Sequence, residues 1–194
     1  MTRRVKIALV VLLAAIVAMG LYAFRLKRQA EKMPMRAADN RPIAPPVAGP
    51  TEHVTLYVAD DNDGALHKRD ASIALPADPS QRARQILRAL LADYLEKDSP
   101  HPLAPGADVK DVFLLKPNLA VVDTTAAFAE GHRSGILVEE LTVVSIAQTL
   151  AANIPGVTRV KILVEGKERD TLAGHADLSD FYDTAAGDPW PVAQ

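Results

Sequence analysis

The apolar positions between Ser134 and Leu172 follow first one period and then another. From Ser134 to Ile154 they recur at the spacing of one helical face, which predicts a long amphipathic helix that begins at a Ser134 N-cap. The polar residues collect on the opposite face: Thr142, Ser145, Thr149 and Asn153. Pro155-Gly156 ends this helix, because proline removes a backbone donor and glycine permits a left-handed turn.

After the helix the period changes to two. Between Arg159 and Val164 apolar residues alternate with Arg159 and Lys161, which predicts a strand with one buried face and one solvated face. A long helix on a half-buried strand is the core of a two-layer α+β domain.

The rest of the globular part shows the same two periods. A second helix is predicted after Asp78, which can cap it, and Pro79 suits its first position. Four further strands are predicted, over His53–Val58, Leu66–Leu75, Val109–Leu115 and Leu119–Asp123. We therefore expect two main helices packed on one face of a small mixed or antiparallel sheet.

Residues 7–24 contain no charged side chain, and basic residues flank both ends. A helix needs roughly 20 apolar residues to cross a bilayer, so this segment just spans one. The alternative is a signal peptide cleaved at Ala18-Met19-Gly20, but the basic cluster after Phe24 makes a poor mature start. The sequence favours an uncleaved, single-pass anchor over residues 1–28 in the cytoplasmic membrane.

Prolines separate this anchor from the globular part. The linker over residues 29–52 is rich in proline, a composition typical of an extended, solvated spacer. The globular domain is predicted over residues 53–180. Residues 181–194 show no periodicity and are predicted to form a loose tail.

Composition and charge narrow the function. The absence of cysteine excludes disulfides, thiolate metal sites, a cysteine nucleophile and a lipid anchor on cysteine. Residues 1–43 have a formal net charge of +7 and residues 44–194 one of −9. Because nucleic-acid binding needs a basic face, the acidic domain argues against such a partner. The basic end belongs to the membrane segment, so the lipid bilayer is the first expected partner.

One acidic stretch, Asp60-Asp61-Asn62-Asp63-Gly64, suggests calcium. An EF-hand loop needs glycine at its sixth position and a carboxylate at its twelfth. Counted from Asp60, glycine is fifth and the twelfth residue is Ala71, so the match fails. We interpret the stretch as an acidic hairpin turn, with a weak surface calcium site as the alternative.

The histidines show no metal-binding spacing: His53, His67, His101, His132 and His175. His175 and Asp177 form a local polar pair that we interpret as structural. Glu139 falls early in the long helix, where the helix dipole favours acids. Glu140 lies within the apolar stripe, so it either extends past the end of the core or contacts a partner chain. No catalytic, cofactor-binding or metal-binding residue is assigned.

Three arginines of the first helix lie off its apolar stripe: Arg82, Arg84 and Arg88. We interpret them as a solvated face, with an anionic partner as the alternative.

Five stretches together resemble the GerMN domain, the sporulation and spore germination domain family. They are VTLYVAD, QRARQILRALLA, AVVDTTAAFAEG, SGILVEELTVVSIAQTLAANIPGV and VKILVEGKERDTLAGHADLS, in the family's order. The resemblance implies a small α+β domain akin to the ring-building domains of secretion-like assemblies, held outside the cytoplasmic membrane. It supplies no catalytic residues. This chain has one copy, where the germination protein has two in tandem.

These observations lead to a hypothesis of function. We expect a membrane-anchored, non-catalytic binding or assembly protein of the bacterial cell envelope, with its domain on the extracytoplasmic side. Its partner is another protein, a second copy of the chain or cell-wall material, in sporulation, germination or cell-wall processes. The alternatives are an envelope hydrolase that uses His175 and Asp177, and a calcium-dependent adhesion module that uses Asp60, Asp61 and Asp63.

Overall fold

A computed structural model describes residues 50–184 and the backbone of residues 192–193. The helices are α1 (Pro79–Tyr94), α2 (Ala126–Glu130) and α3 (Ile136–Asn153). The strands are β1 (Thr51–Asp60), β2 (Ala65–Ala74), β3 (Val109–Leu115), β4 (Leu119–Thr124), β5 (Arg159–Val164), β6 (Tyr182–Asp183) and β7 (Val192–Ala193). These elements confirm the predicted α+β class.

The strands are divided between two sheets rather than collected in one. β1 and β2 form an antiparallel hairpin, and β7 lies parallel to β2. The second sheet has the order β3-β4-β5-β6, in which β4 and β5 are parallel and the other pairs are antiparallel. Parallel neighbours need a crossover connection, and α2 and α3 lie in the one between β4 and β5.

Helix α1 begins as the sequence predicts. Asp78 is its N-cap, and Oδ1 of Asp78 accepts a hydrogen bond from the backbone N–H of Gln81 at 2.9 Å. The helix packs against β3, β1 and α3. Its apolar stripe is buried in the core: Ala83, Ile86, Leu87, Leu90, Leu91 and Tyr94.

Helix α3 is buried on its polar side as well as on its apolar side. The apolar residues Leu141, Val143, Ile146 and Leu150 have no exposed surface. The polar residues Thr142, Ser145 and Thr149 are buried as completely. The apolar period located the core side of the helix, but it carried no information on what covers the other side.

The polar face of α3 covers the outer edge of β1. The backbone N–H groups of Thr55 and Tyr57 donate to Asn153 Oδ1 and Thr149 Oγ1, both at 3.0 Å. Asn153 Nδ2 donates in turn to the carbonyl of Thr55 at 2.7 Å. Because helix side chains satisfy these backbone groups, β1 offers no free edge to a further strand there. The hairpin therefore stays separate from the second sheet.

Strand β5 is also covered on both faces, which corrects the predicted solvated face at Lys161. Lys161 is 4 % exposed, and its ammonium group donates to the carbonyl of Ser179 at 2.6 Å. The same ammonium lies 5.6 Å from the ring centre of Phe181, and the guanidinium of Arg159 lies 4.2 Å from it. The segment after β5 folds back over the strand, so Arg159 and Lys161 lie largely beneath it.

The predicted anchor and nearly all of the linker lie outside the described residues and stay predictions. In the part of the chain that the structure describes, α3 alone is long and apolar enough to cross a membrane. Half of that helix is buried in the domain and its polar side chains bind β1, so we interpret it as a core helix. Strands β6 and β7 fall within the range predicted as a tail.

Candidate functional site

The first turns of α3 hold a buried carboxylate that organises the segment after β5. Glu139 has no exposed surface. Its Oε2 accepts hydrogen bonds from the backbone N–H groups of Ala173, His175 and Ala176 at 2.9, 2.9 and 3.0 Å. Its Oε1 accepts from the N–H of Gly135 at 3.1 Å. One side chain thus joins the start of α3 to a segment more than thirty residues away.

The imidazole of His175 completes the contacts of this carboxylate. His175 Nδ1 lies 2.9 Å from Glu139 Oε1 and 3.3 Å from the hydroxyl of Ser134. Burial raises the pKa of Glu139, but hydrogen bonds from His175, Ala173 and Gly135 outweigh it and lower the pKa to about 2. Gly135 is the N-cap of α3, so the predicted Ser134 cap is wrong. Glu139 accepts a hydrogen bond from the backbone N–H of this cap residue.

A cavity of about 340 Å³ opens beside the contact between Glu139 and His175. Its lining is Ile136, Glu140, His175, Ala176, Asp177, Asp180, Phe181 and Tyr182. Glu140 is half-buried here, and burial raises its pKa. Burial and the charges of Glu140 and Asp177 raise the pKa of Tyr182 to about 12. The cavity is therefore electronegative, and it brings together the His175 and Asp177 that the sequence paired.

Within that cavity His175 and Asp177 are held by different partners. Oδ1 of Asp177 accepts from the backbone N–H and the hydroxyl of Ser179 at 2.7 and 2.6 Å, which lowers its pKa. This closes a short turn of the kind that aspartate favours. His175 is held by Glu139. The predicted direct pair of His175 and Asp177 is therefore not formed, because each side chain binds a different partner.

A second polar cluster is buried and joins two histidines through a threonine. His101 and Thr142 have no exposed surface, and His132 is 8 % exposed. Oγ1 of Thr142 lies 2.6 Å from His101 Nε2 and 2.7 Å from His132 Nε2. His101 Nδ1 lies 2.6 Å from Asp61 Oδ1, and His132 Nδ1 lies 2.7 Å from the carbonyl oxygen of Arg133. The cluster ties the β1–β2 turn and two loops to α3.

Asp61, His101 and Thr142 follow the order of carboxylate, imidazole and hydroxyl that activates a nucleophile in serine hydrolases. The Thr142 hydroxyl has no exposed surface, and it lies 3.0 Å from the carbonyl of Val138, to which it can donate. A substrate cannot reach this hydroxyl in the present fold, so the cluster is not a nucleophilic site.

The acidic turn does not gather the three aspartates of the calcium alternative. Asp61 turns inward to His101 and also pairs with the guanidinium of Arg133. Asp60 and Asp63 remain together, and with His67 they offer ligand atoms within 4.8 Å of one another. A histidine nitrogen suits zinc or another transition metal better than calcium.

The three arginines of α1 stay partly exposed on the surface and bind groups of the domain itself. Arg88 donates to the carboxylate of Asp108 at 2.6 and 3.0 Å. Arg82 makes a two-point contact with Glu52, and Arg84 donates to a backbone carbonyl of β3 at 3.3 Å. These guanidinium groups have intramolecular partners.

The outer face of the second sheet carries exposed apolar side chains next to Arg159 and Lys161. Phe113 and Leu115 of β3 are 48 % and 51 % exposed. Their register partners on β4 are Val121 and Leu119, and Phe181, 41 % exposed, lies over the neighbouring β5. We call these residues the outer sheet face: Phe113, Leu115, Leu119, Val121 and Phe181. Large apolar side chains grouped on a surface are typical of a site that another molecule covers.

A family model described as Germane, sporulation and spore germination, matches residues 55–170 of this chain. The chain belongs to this family. The match runs from β1 through α3 and β5, so it includes Glu139 and the histidine cluster, and it confirms the GerMN resemblance. No curated protein matches the chain.

Three solved structures are similar to this GerMN-like domain. The tandem GerMN domains of the sporulation protein GerM from Bacillus subtilis are 22 % identical, with a TM-score of 0.53 over 69 % of this chain and 46 % of that one. The first GerMN domain of the same protein gives 22 % identity and 0.47, over 69 % and 98 %. A Clostridium perfringens protein described as a candidate lipoprotein gives 18 % and 0.42, over 73 % and 93 %. The first likeness confirms the fold, and this chain spans less than half of that tandem structure.

The sequence pattern does not connect the residues that organise the GerMN-like domain, although each of them is visible in it. His101, His132 and Asp61 come from three separate loops, so no spacing connects them. One signal was present in α3: its polar face carries small hydrogen-bonding residues and an amide, without a charge from Leu141 to Asn153. Charged residues are rarely fully buried, whereas threonine and serine with partners are tolerated inside, so such a face favours burial.

Proposed function

We propose that this protein is a membrane-anchored, non-catalytic assembly protein of the bacterial cell envelope, whose GerMN-like domain binds a protein partner on the extracytoplasmic side. The outer sheet face carries the proposal, because large apolar side chains on it are exposed within the part of the chain that the structure describes. The family description, sporulation and spore germination, is consistent with an envelope role. The uncharged segment over residues 7–24 supports the anchor.

The polar groups of the domain support binding rather than chemistry. Four backbone N–H groups and an imidazole occupy the carboxylate oxygens of Glu139. His101 and His132 are buried, and Asp177 closes a turn. Groups held in this way stabilise loops, and a general acid or base must instead reach its substrate.

Topology is tested with spheroplasts of cells that carry the full chain. We expect added protease to digest the domain while a cytoplasmic marker protein stays intact. The domain should also sediment with the membranes and be released by detergent but not by high salt, because an inserted helix holds it. An intact domain in the presence of external protease would contradict the proposal.

An envelope hydrolase is the second candidate, because the cavity beside Glu139 places His175, Asp177 and Glu140 around one space. The test is turnover of purified cell-wall fragments by the full chain and by His175→Ala. Cleavage that His175→Ala abolishes while the melting temperature stays within a few degrees would favour the hydrolase. Absence of cleavage, together with a stability loss in His175→Ala, would favour the assembly role.

A further inference from the structure

Thr142 stands between two imidazole nitrogens with a single hydroxyl proton. The carboxylate of Asp61 and the carbonyl of Arg133 can only accept, so Nδ1 of His101 and Nδ1 of His132 are both donors. In a neutral ring the other nitrogen is then an acceptor. Both Nε2 atoms therefore need the proton of Thr142, which can go to one ring only. The remaining Nε2 faces an oxygen atom with no hydrogen between them.

One added proton removes this mismatch. When Nε2 of His101 carries it, that nitrogen donates to Thr142 Oγ1, and the hydroxyl donates to Nε2 of His132. Every contact from Asp61 to the carbonyl of Arg133 then has one donor and one acceptor. His101 is the favoured site, because its other nitrogen lies against a carboxylate, whereas His132 lies against a neutral carbonyl.

A second proton is opposed by charge. The hydroxyl could still donate to the carbonyl of Val138, but two cationic rings would lie 6.3 Å apart between centroids in a buried site. Burial already lowers the pKa of His101 and of His132, and Asp61 opposes this for His101. The other groups that face the pair are Asp60 from the end of β1, Arg133 from the α2–α3 loop, Glu139 from α3 and Tyr94 from α1.

We propose that His101, Thr142 and His132 form one proton-binding unit, which takes up a single proton on His101 as the pH falls and resists a second. This inference rests on the cluster alone and is independent of the proposed function. Proton uptake by this unit changes the interactions of Asp61, which contacts both His101 and Arg133. With a neutral His101, the negative charge of Asp61 is balanced by Arg133, whose side chain is 51 % exposed. A protonated His101 supplies a counter-ion from inside, so proton uptake weakens the hold of Asp61 on this surface arginine.

Such coupling is reciprocal, because both cations compete for one carboxylate. Removing Arg133 should therefore shift proton uptake by His101 to higher pH. Removing the hydroxyl of Thr142 should shift proton uptake by His101 to lower pH. The two neutral rings would no longer compete for one hydroxyl proton, and a protonated His101 would lose the oxygen that accepts from its Nε2.

The test is a pH titration of the histidine side chains by nitrogen–proton correlation spectra of the full chain in detergent micelles. We expect both neutral rings to be Nδ1–H tautomers. We expect His101 to become an imidazolium first, with His132 following at least about one pH unit lower. Arg133→Gln should move the His101 step upward. Arg84→Gln, which removes a half-buried arginine whose guanidinium binds a backbone carbonyl of β3, should leave it unchanged.

Thr142→Ser should retain the order of the two steps, and Thr142→Val should lower the first. Equal midpoints for the two rings, an Nε2–H tautomer in either neutral ring, or a His101 step that Arg133→Gln does not move would each overturn the proposal. If Thr142→Val does not fold, the wild-type and Arg133→Gln titrations decide it.

Discussion

Nδ1 of His175 lies 2.9 Å from Oε1 of Glu139, and this contact fastens the segment after β5 to the start of α3. The same segment continues to Ser179, which binds the buried Lys161, and to Phe181 on the outer sheet face. A single buried carboxylate therefore supports the wall of the cavity and one edge of the exposed apolar surface.

Glu139→Gln should destabilise the domain by about 2–3 kcal/mol, because hydrogen bonds to a charged acceptor are stronger and an amide cannot accept at both positions. Urea unfolding followed by circular dichroism measures this. Glu140→Gln is the matched control on the next residue: burial raises the pKa of Glu140, so removal of its charge should leave stability unchanged or raise it. Equal losses of unfolding free energy in the two variants would contradict the role of Glu139 in holding the segment after β5.

Acid should weaken the domain through the same residue. The pKa of Glu139 is about 2 in the folded protein against a usual value of 4.5, so its contribution is fully present above pH 4.5 and is lost as the pH falls towards 2. The loss is at most about 3 kcal/mol. Glu139→Gln should lack this part of the acid sensitivity. A wild-type and variant difference that stays constant between pH 5 and pH 2.5 would show that Glu139 has an ordinary pKa.

Asn153→Ala should destabilise the domain by about 1–3 kcal/mol, since it leaves backbone groups of Thr55 without partners on a part-buried strand edge. The control is Gln148→Ala, a half-buried amide on the same helix. Asn153→Ala should also increase self-association in sedimentation, because it uncovers the edge of β1. Unfolding midpoints that match between the two variants would mean that the hydrogen bonds from Asn153 to Thr55 do not stabilise the domain.

The two faces of α3 allow a test of the core. Ile146→Asp should prevent folding, because burial of an unpaired carboxylate costs several kcal/mol, comparable with the whole stability of a small domain. Val144→Asp, at a half-buried position, should cost less and leave a folded domain. Thermal unfolding compares them, and the reverse order would contradict the placement of α3.

Local signals in the sequence were sufficient for α1 and insufficient for α3. The cap at Asp78 and the stripe that ends at Tyr94 are encoded within one helix, so both are found as predicted. Lys161 is covered by Ser179, which lies 18 residues further along the chain, and by the nearby Phe181. Alternation along a strand cannot reveal such a cover. The histidine cluster is assembled from three loops, so only the three-dimensional arrangement shows it.

The central claim is that the outer sheet face binds a protein partner while the chain is anchored in the membrane. Photo-crosslinking in intact cells tests it most directly, with a photoreactive residue in the full chain at Phe113 and, as a control, at the exposed Lys97 of the α1–β3 loop. We expect one discrete adduct from position 113 only, lost when Leu115→Ser is added, with two differently tagged copies showing whether the partner is a second copy. No adduct at 113, or equal adducts at 113 and 97 that Leu115→Ser does not change, would contradict the account.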